Sequence, residues 1–134
     1  MDFQKKVSKN NYVRECVVVL NGLLGLTPRE IDILSSLIKL DSLWVPRTPI
    51  EVKNVLSTDS RRLIMKESNM NKSNFTKIVN KLTSIGLLVK SQDGKYVINE
   101  LLKPTITRIK DKDSDTFKNI VEIKFILEVA DAIQ

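Results

Sequence analysis

The fold of this chain is decided by residues 60–96, which read SRRLIMKESNMNKSNFTKIVNKLTSIGLLVKSQDGKY. Within this stretch a short helical pattern, a polar turn, a second amphipathic pattern, a glycine stop and a Gly-tipped hairpin follow in order. The connections carry the residue types that turns require. The stretch therefore predicts two helices in close succession followed by a β-hairpin.

The second of these helices carries most of the information. Its apolar residues recur at the i, i+3, i+4, i+7 spacing of one buried stripe. They are Phe75, Ile78, Val79, Leu82 and Ile85. The opposite face has no carboxylate and presents Lys72, Ser73, Asn74, Thr76, Lys77, Asn80 and Lys81. Amide, hydroxyl and ammonium donors on one face suit a groove that is lined with phosphates.

The first helix is expected over residues 60–67, with Leu63 and Ile64 facing inward. Polar residues 68–71 form the turn, where Met70 is expected to fill the corner between the two helices.

The hairpin follows the second helix at once. Gly86 stands where a left-handed residue closes a helix. Residues 87–89 and 96–98 are expected to pair as its two strands. The tip contains Asp93-Gly94, a pair that favours a two-residue primed turn.

Another helix precedes this stretch. Thr27 can cap it, Pro28 is tolerated at its first position, and a glutamate three residues after the cap completes a capping box. Its apolar stripe should end near Asp41 and consists of Ile31, Leu34, Leu37 and Ile38. Residues 43–58 contain two prolines and predict a loop with a turn or two of helix. Within that loop we favour a core position for Trp44 over an exposed partner contact.

Both ends of the chain have strand-like patterns. Residues 1–11 are polar and basic and predict a loose arm, and the β-branched run in 12–20 predicts a strand. Apolar and polar residues alternate over 121–129, which predicts a second strand; a helix over 117–130 is the alternative. The second strand has no hairpin partner nearby. Its expected mate is therefore the first strand or the equivalent strand of a second subunit.

Composition excludes several classes of function. The chain has 134 residues, no histidine and one cysteine, Cys16, so the commonest general base and zinc ligand are missing. Four scattered glycines form no phosphate loop. The acidic residues of 111–122 fall in a calcium-loop register, but Thr116 occupies the position that needs glycine. We expect no enzyme activity, no cofactor and no metal.

Source and compartment follow from simpler features. No apolar run approaches the roughly 18 to 20 residues of a membrane helix, and no signal-peptide pattern follows the first residues. These features predict a cytoplasmic protein. Heavy use of lysine and asparagine is typical of an AT-rich genome and favours a bacterial or phage source.

Positive charge is concentrated in two places. The chain carries a net charge of +6. Residues 59–95 hold eight Lys or Arg against three acids, and residues 1–14 add a net +3. A polyanion would therefore bind residues 59–95 or the N-terminal arm.

The order of elements resembles the winged-helix superfamily, most nearly its MarR-like branch. The resemblance is carried by the LTPRE of 26–30 and the IGLL of 85–88, and it covers about residues 26–100. It implies an α+β fold, a winged helix-turn-helix of three helices plus a β-hairpin wing, here with N- and C-terminal β-strand extensions. It also implies a recognition helix at 72–85 in the major groove and a wing at 87–98 on the DNA backbone. The strand-like ends depart from that branch, whose members usually dimerise through long terminal helices.

These patterns divide the chain into three parts. Residues 1–24 are expected to form the basic arm and N-terminal strand, 25–100 the winged helix-turn-helix domain, and 101–134 a C-terminal extension for pairing or oligomerisation.

The leading functional hypothesis is sequence-specific binding of double-stranded DNA by a transcriptional regulator that forms a homodimer through its terminal strands. The residues expected to contact DNA are Arg61, Arg62, Lys72, Ser73, Asn74, Thr76, Lys77, Asn80, Lys81, Lys90 and Lys95. Two alternatives are a winged-helix module for protein assembly, such as a phage structural or packaging component, and a replication or partition protein that binds DNA through the same residues.

Overall fold

A computed structural model describes residues 4–130 and has an α+β fold. The chain divides into two compact units, the first ending at Lys103 and the second beginning at Pro104. Within the described residues there are four α-helices and two antiparallel sheets of two strands each. The elements are α1 Tyr12–Leu24, α2 Pro28–Leu43, α3 Thr58–Glu67, α4 Lys72–Ser84, β1 Leu88–Lys90, β2 Tyr96–Ile98, a 3-10 turn Glu100–Leu102, β3 Ile106–Lys110 and β4 Phe117–Val121.

The N-terminal segment is a helix, so the predicted strand over 12–20 is wrong. Val13 and Val17, four residues apart, are buried, whereas Val18 and Val19 are exposed. This is the 3.6-residue period of a helix and not the alternation of a strand. The run of β-branched residues concealed that period. Because α1 belongs to the core of the first unit, it is neither a separate N-terminal part nor a strand that could pair with the C-terminal segment.

The connection from α1 to α2 is closed by local hydrogen bonds. Gly25 has a φ of 65°, in the left-handed region. The Asn21 amide donates to the Leu26 carbonyl at 3.1 Å, and its carbonyl oxygen accepts from the Leu26 N–H at 2.7 Å. The predicted capping box at Thr27 and Glu30 is confirmed. All four predicted apolar residues of α2 are buried.

Residues 44–57 form turns but no helix, so the expected turn or two of helix is wrong there. Val55 and Leu56 are buried and join the core of the first unit. Trp44 is only half-buried and lies outside that core, contrary to the expectation. The Val55 N–H donates to the Tyr96 carbonyl at 2.9 Å, which ties the loop to the edge of β2.

The core of the first unit is formed by one side of each helix and of the β1–β2 hairpin. Its buried apolar residues come from α1, α2, α3, α4, both hairpin strands and the 44–57 segment. The largest side chains that are almost completely buried include Phe75, Ile33, Leu34, Leu37 and Ile64. This common core fixes where α4 and the hairpin lie on the first unit.

The second unit is a hairpin whose strands lie earlier in the chain than the strand predicted from the sequence. β3 pairs antiparallel with β4, with Ile106 opposite Val121 and Lys110 opposite Phe117. The strand predicted over 121–129 and the alternative helix over 117–130 are both wrong, because 122–130 belong to neither a helix nor a strand. The overlooked partner strand has only two apolar residues, too few for the pattern to stand out. No residue from 104 to 130 is buried.

Candidate nucleic-acid interface

Two capped helices, α3 and α4, form the centre of the candidate site. Ser57 caps α3 by accepting the Ser60 N–H at 3.2 Å. Asn71 caps α4 by accepting the Asn74 N–H at 2.8 Å. Each cap satisfies a backbone donor that the helix itself cannot pair. Both helix starts are therefore fixed by residues that directly precede them.

The turn between the helices is closed by a left-handed residue. Asn69 has a φ of 49°, and its N–H donates to the Lys66 carbonyl at 3.3 Å. The Met70 N–H donates to the Met65 carbonyl at 2.9 Å, and the Met70 side chain is buried as expected. These two bonds define a Schellman closure, in which asparagine replaces the usual glycine.

Sequence reasoning missed a side chain that holds this turn from outside. Arg29, in the first turn of α2, donates through Nη2 to the carbonyls of Ser68 at 3.3 Å and Asn69 at 3.4 Å. It stands about 40 residues away along the chain, so no local pattern could have revealed it. The guanidinium satisfies carbonyls at the end of α3 that the helix leaves free.

The buried side of α4 largely matches the predicted stripe. Phe75, Val79 and Leu82 are buried, and Ile78 packs against the core as a half-buried residue. Ile85 is exposed at the C-cap, so its predicted inward position is wrong. On the preceding helix, Ile64 is buried but Leu63 is exposed, and the inward position predicted for Leu63 is also wrong. Ile85 lies one residue after the last residue of α4, and Leu63 lies next to the buried Ile64.

The outward side of α4 is exposed and has no acidic residue of its own. Among the described residues, neither Lys72 nor Lys77 lies within ion-pair distance of a carboxylate. The exposed members of the predicted face are Lys72, Ser73, Asn74, Thr76, Lys77 and Asn80. Helix α4 therefore presents cationic, amide and hydroxyl groups together to solvent.

Lys81 differs from the other lysines of this face because its charge is paired. Its Nζ lies 2.8 Å from Oε1 of Glu30, which is only 7% exposed. The same Oε1 accepts the N–H of Thr27 at 2.8 Å. Burial acts to raise the pKa of Glu30, but the hydrogen bonds from Lys81 and Thr27 and the charge of Lys81 together lower it below its ordinary value. Although α4 carries no acid, a carboxylate from α2 therefore neutralises one end of its face.

The two arginines of α3 lie in different environments. Arg61 is half-buried; its Nε donates to the Leu56 carbonyl at 2.9 Å, and its guanidinium carbon lies 5.8 Å from the Tyr96 ring centroid. Arg62 is exposed. Arg61 thus links α3 to the preceding loop and the hairpin, whereas Arg62 faces solvent.

The β1–β2 hairpin carries the remaining predicted lysines. Leu88 pairs with Ile98 and Lys90 with Tyr96. The Lys90 ammonium lies 5.6 Å from the Tyr96 ring centroid, and both Lys90 and the half-buried Lys95 remain accessible. Lys90 is the last residue of β1 and Lys95 directly precedes β2, so the two lysines lie on either side of the hairpin tip.

The hairpin tip is a three-residue loop, so the predicted two-residue primed turn is wrong. The Gly94 N–H donates to the Ser91 carbonyl at 3.0 Å, and the Ser91 N–H donates to the Lys95 carbonyl at 2.8 Å. Gly94 has a φ of 78°, but Asp93 does not have the positive φ that a type I′ turn demands. The bonding matches a type I turn followed by a left-handed glycine.

Two asparagines with no predicted role, Asn54 and Asn99, fix the hairpin to the rest of the unit. Asn99 donates through its amide to the Gly86 carbonyl at 2.9 Å, next to the end of α4. Asn54 accepts the Tyr96 N–H at 3.0 Å through Oδ1. Gly86 itself has the expected left-handed φ, 85°. Asn54 thus links β2 to the 44–57 segment, and Asn99 links the end of the hairpin to the residue that follows the C-cap of α4.

A buried ionic cluster lies at the C-terminal end of α2. Asp41 is buried, with Lys103 at 3.3 Å from Oδ2 and Lys53 at 3.2 Å from Oδ1. Lys53 and Oδ1 of Asp41 form an ion pair, but their geometry is not that of a hydrogen bond. The hydrogen bond to Glu100, followed by that to Asp41, raises the pKa of Lys103 despite the opposing effect of burial. The cluster joins three segments of the first unit, and we assign it a structural role.

Comparisons with known proteins give no relative. No protein-family model, no curated protein and no solved structure matches the chain. The MarR-like resemblance therefore stays a prediction. Within residues 4–130, no helix combines the length and apolarity that crossing a membrane demands. In the same described range, no three His, Cys, Asp or Glu side chains are grouped as a metal site would require.

Proposed function

We propose that this chain is a double-stranded DNA-binding protein of the winged helix-turn-helix class. In this proposal α4 is the recognition helix and the β1–β2 hairpin is the wing. The observation that carries the proposal is the exposed side of α4, where amide and hydroxyl groups stand beside the ammonium groups of Lys72 and Lys77, which pair with no carboxylate among residues 4–130, and where α4 itself has no acidic residue. The order of α3, the closed turn, α4 and the hairpin supports it.

The chemistry of each exposed residue gives it a role in the complex. The amides of Asn74 and Asn80 match the donor and acceptor pair on an adenine edge. Lys77 can donate to guanine or to a phosphate, whereas Lys72 lies at the start of the helix and serves a phosphate. The exposed Ser73, Thr76, Arg62 and Lys90 contact the DNA backbone, together with the half-buried Lys95.

Arg61 and Lys81 have a different role in this proposal. Both were expected to contact DNA, but their cationic groups are bonded within the protein. Lys81 is paired with a buried carboxylate, and releasing it would leave that charge without its counter-ion. We assign both residues to holding the helices in place instead of contacting DNA.

The biological role that fits best is a transcriptional regulator of a bacterium or phage. Replication or partition proteins would use the same contacts, because the groups that bind duplex DNA do not depend on what the binding controls. A winged helix used for assembly would instead cover the outward side of α4 with another protein.

Salt dependence tests the proposal directly. If about five to seven phosphates are neutralised by each pair of subunits, the logarithm of the association constant should fall with the logarithm of salt concentration with a slope near −5. Fluorescence anisotropy with labelled duplexes of varied sequence, titrated from low to moderate salt, measures that slope. Absence of binding to every duplex at low salt would refute DNA binding and favour the assembly role.

A double substitution tests the assigned surface. Lys77→Ala with Asn80→Ala should weaken duplex binding by roughly 10- to 100-fold, because one phosphate or base contact is lost at each position. The melting temperature should stay close to that of the parent, since both side chains are exposed. The matched control is Lys112→Ala with Asn119→Ala, an exposed lysine and asparagine of the second unit. A large loss of stability in the first variant, or an equal loss of affinity in the second, would show that the surface is misassigned.

A further inference from the structure

The segment after β4 exposes apolar residues in a regular pattern. Residues 122–130 follow β4 without forming a helix or strand, although apolar residues recur at every second position. Of these alternating residues, Phe125, Leu127 and Val129 are 45%, 84% and 90% exposed. Ile126, which lies between two of them, is 83% exposed. A strand pattern that is apolar and uncovered calls for a pairing partner.

The second unit is incomplete as a single chain. It is a two-stranded hairpin in which no described residue is buried. Such a hairpin is marginally stable in water, and a third strand or a covering surface is normally needed. Residues 122–130 have the right pattern for that strand, but they contain no glycine, proline or asparagine that would turn the chain back along β4. The additional strand must therefore come from elsewhere.

We propose that residues 122–130 pair antiparallel with the same residues of a second copy of this chain. An isologous pairing of this kind uses one segment twice, so residue i faces residue j and j faces i. The two-fold axis lies between Ile126 of one copy and the partner's Ile126, which face each other. The proposal does not depend on DNA binding, because it concerns only the second unit.

Charge complementarity selects this register. With Ile126 on the axis, Lys124 lies opposite the partner's Glu128, and the same pair forms a second time by symmetry. A register centred on Phe125 would place Glu122 opposite the partner's Glu128 twice, and like charges directly opposite destabilise a sheet. A register centred on Lys124 would leave both glutamates opposite isoleucines. A register centred on Ile123 would place Glu122 opposite the partner's Lys124, but it would set residues 125–130 opposite the partner's residues 116–121 and not opposite the same segment. The register centred on Ile126 pairs the whole of 122–130 with itself and also sets opposite charges across from each other.

The same register also aligns the apolar side chains. Residues directly opposite in an antiparallel pair point to one side of the sheet. Ile123 then faces the partner's Val129, and Phe125 faces the partner's Leu127, with each pair formed twice. β4 continues through this segment as one long strand, and the two hairpins join into a single sheet. The pairing would cover side chains that a single copy leaves in water.

Charge exchange in the full chain tests the register. Lys124→Glu or Glu128→Lys should each raise the dimer dissociation constant roughly tenfold, since both symmetric pairs become like-charged. The double variant with both changes restores opposite charges and should return to within a few-fold of the parent. Glu122→Lys is the matched control and should have little effect, because it lies opposite the partner's Ala130. Sedimentation velocity across protein concentrations measures each constant. A chain that stays monomeric at the highest concentration, or a double variant no better than the single ones, would overturn the proposal.

A cysteine substitution gives a second test that does not depend on charge. In a Cys16→Ser background, Ile126→Cys should form a covalent dimer rapidly under mild oxidation, because the two sulfurs face each other across the axis. Phe125→Cys should cross-link several-fold more slowly, since its opposite residue is the partner's Leu127. Faster cross-linking at residue 125 than at 126 would overturn the register. The rates are read from gel band intensities over time, and duplex binding of the same samples is measured separately.

Discussion

At the scale of single residues, Glu30 performs two tasks with one carboxylate. It completes the capping box of α2 by accepting the Thr27 N–H, and it holds Lys81 of α4 at 2.8 Å. With Arg29 on the preceding position bound to the turn between α3 and α4, the first turn of α2 contacts both parts of the helix pair. The position of α4 therefore depends on two adjacent side chains from another helix.

Replacing this carboxylate should change how stability depends on pH. The pKa of Glu30 is lowered in the fold, so its stabilisation is present above its ordinary pKa of 4.5 and is lost as pH falls through the lower folded value. Glu30→Gln should cost about 1 kcal/mol at neutral pH, a modest figure because Lys81 is partly exposed. The difference from the parent should shrink as the solution is acidified. Urea unfolding followed by circular dichroism from neutral to acid pH measures it, with the exposed Glu67→Gln as control. A difference that stays constant with pH would contradict the pairing.

The two tasks of Glu30 show where sequence reasoning stops. Its role with Thr27 was predictable because the partners stand three residues apart in a known cap. The contact with Lys81 spans 51 residues, and nothing in a local pattern distinguishes a lysine that faces DNA from one that faces a carboxylate. The asparagine contacts of the hairpin were missed for the same reason.

At the scale of elements, prediction succeeded where caps and periodicity agreed. Helices α2 and α4 each have a capping residue and a regular apolar stripe. Helix α1 has no side-chain cap, and its run of valines has high strand propensity. Packing against α2 overrides that propensity, because burial of a stripe outweighs the small intrinsic penalty of each β-branched residue.

Substitution of two valines, Val17 and Val19, tests whether residues 12–24 form a helix or a strand. In a strand Val17 and Val19 would point to the same side, whereas in α1 the first is 1% exposed and the second 48% exposed. Val17→Ala should lower the free energy of unfolding by about 1 to 3 kcal/mol through lost burial. Val19→Ala should be near neutral or slightly stabilising, since alanine favours helix. Chemical denaturation of both variants measures this, and equal losses would contradict the helix.

At the scale of the whole molecule, charge and core are concentrated in the first unit. Residues 1–103 carry 17 basic and 10 acidic residues, whereas residues 104–134 carry five basic and six acidic ones. The buried apolar core of the described residues also lies entirely within the first unit, with Leu102 as its last member. The molecule thus has a charged, well-packed unit and a hairpin unit in which no residue from 104 to 130 is buried. This division matches the two proposals, DNA binding by the first unit and self-pairing by the second.

A chain shortened to end at Lys103 should separate these two activities. It keeps every described core residue, so its helical signal and melting temperature should stay close to those of the parent. It also keeps the exposed groups assigned to DNA, so each bound copy should neutralise the same number of phosphates as one subunit of the parent, and the salt slope for one shortened copy should be about half that for a parent dimer. Affinity for a duplex with two sites should fall, because paired subunits bind the second site at a high effective concentration. Sedimentation should find the shortened chain monomeric. If it folds but binds no duplex at low salt, DNA contact requires the second unit and the division of labour is wrong; if it remains dimeric, self-pairing lies in the first unit instead.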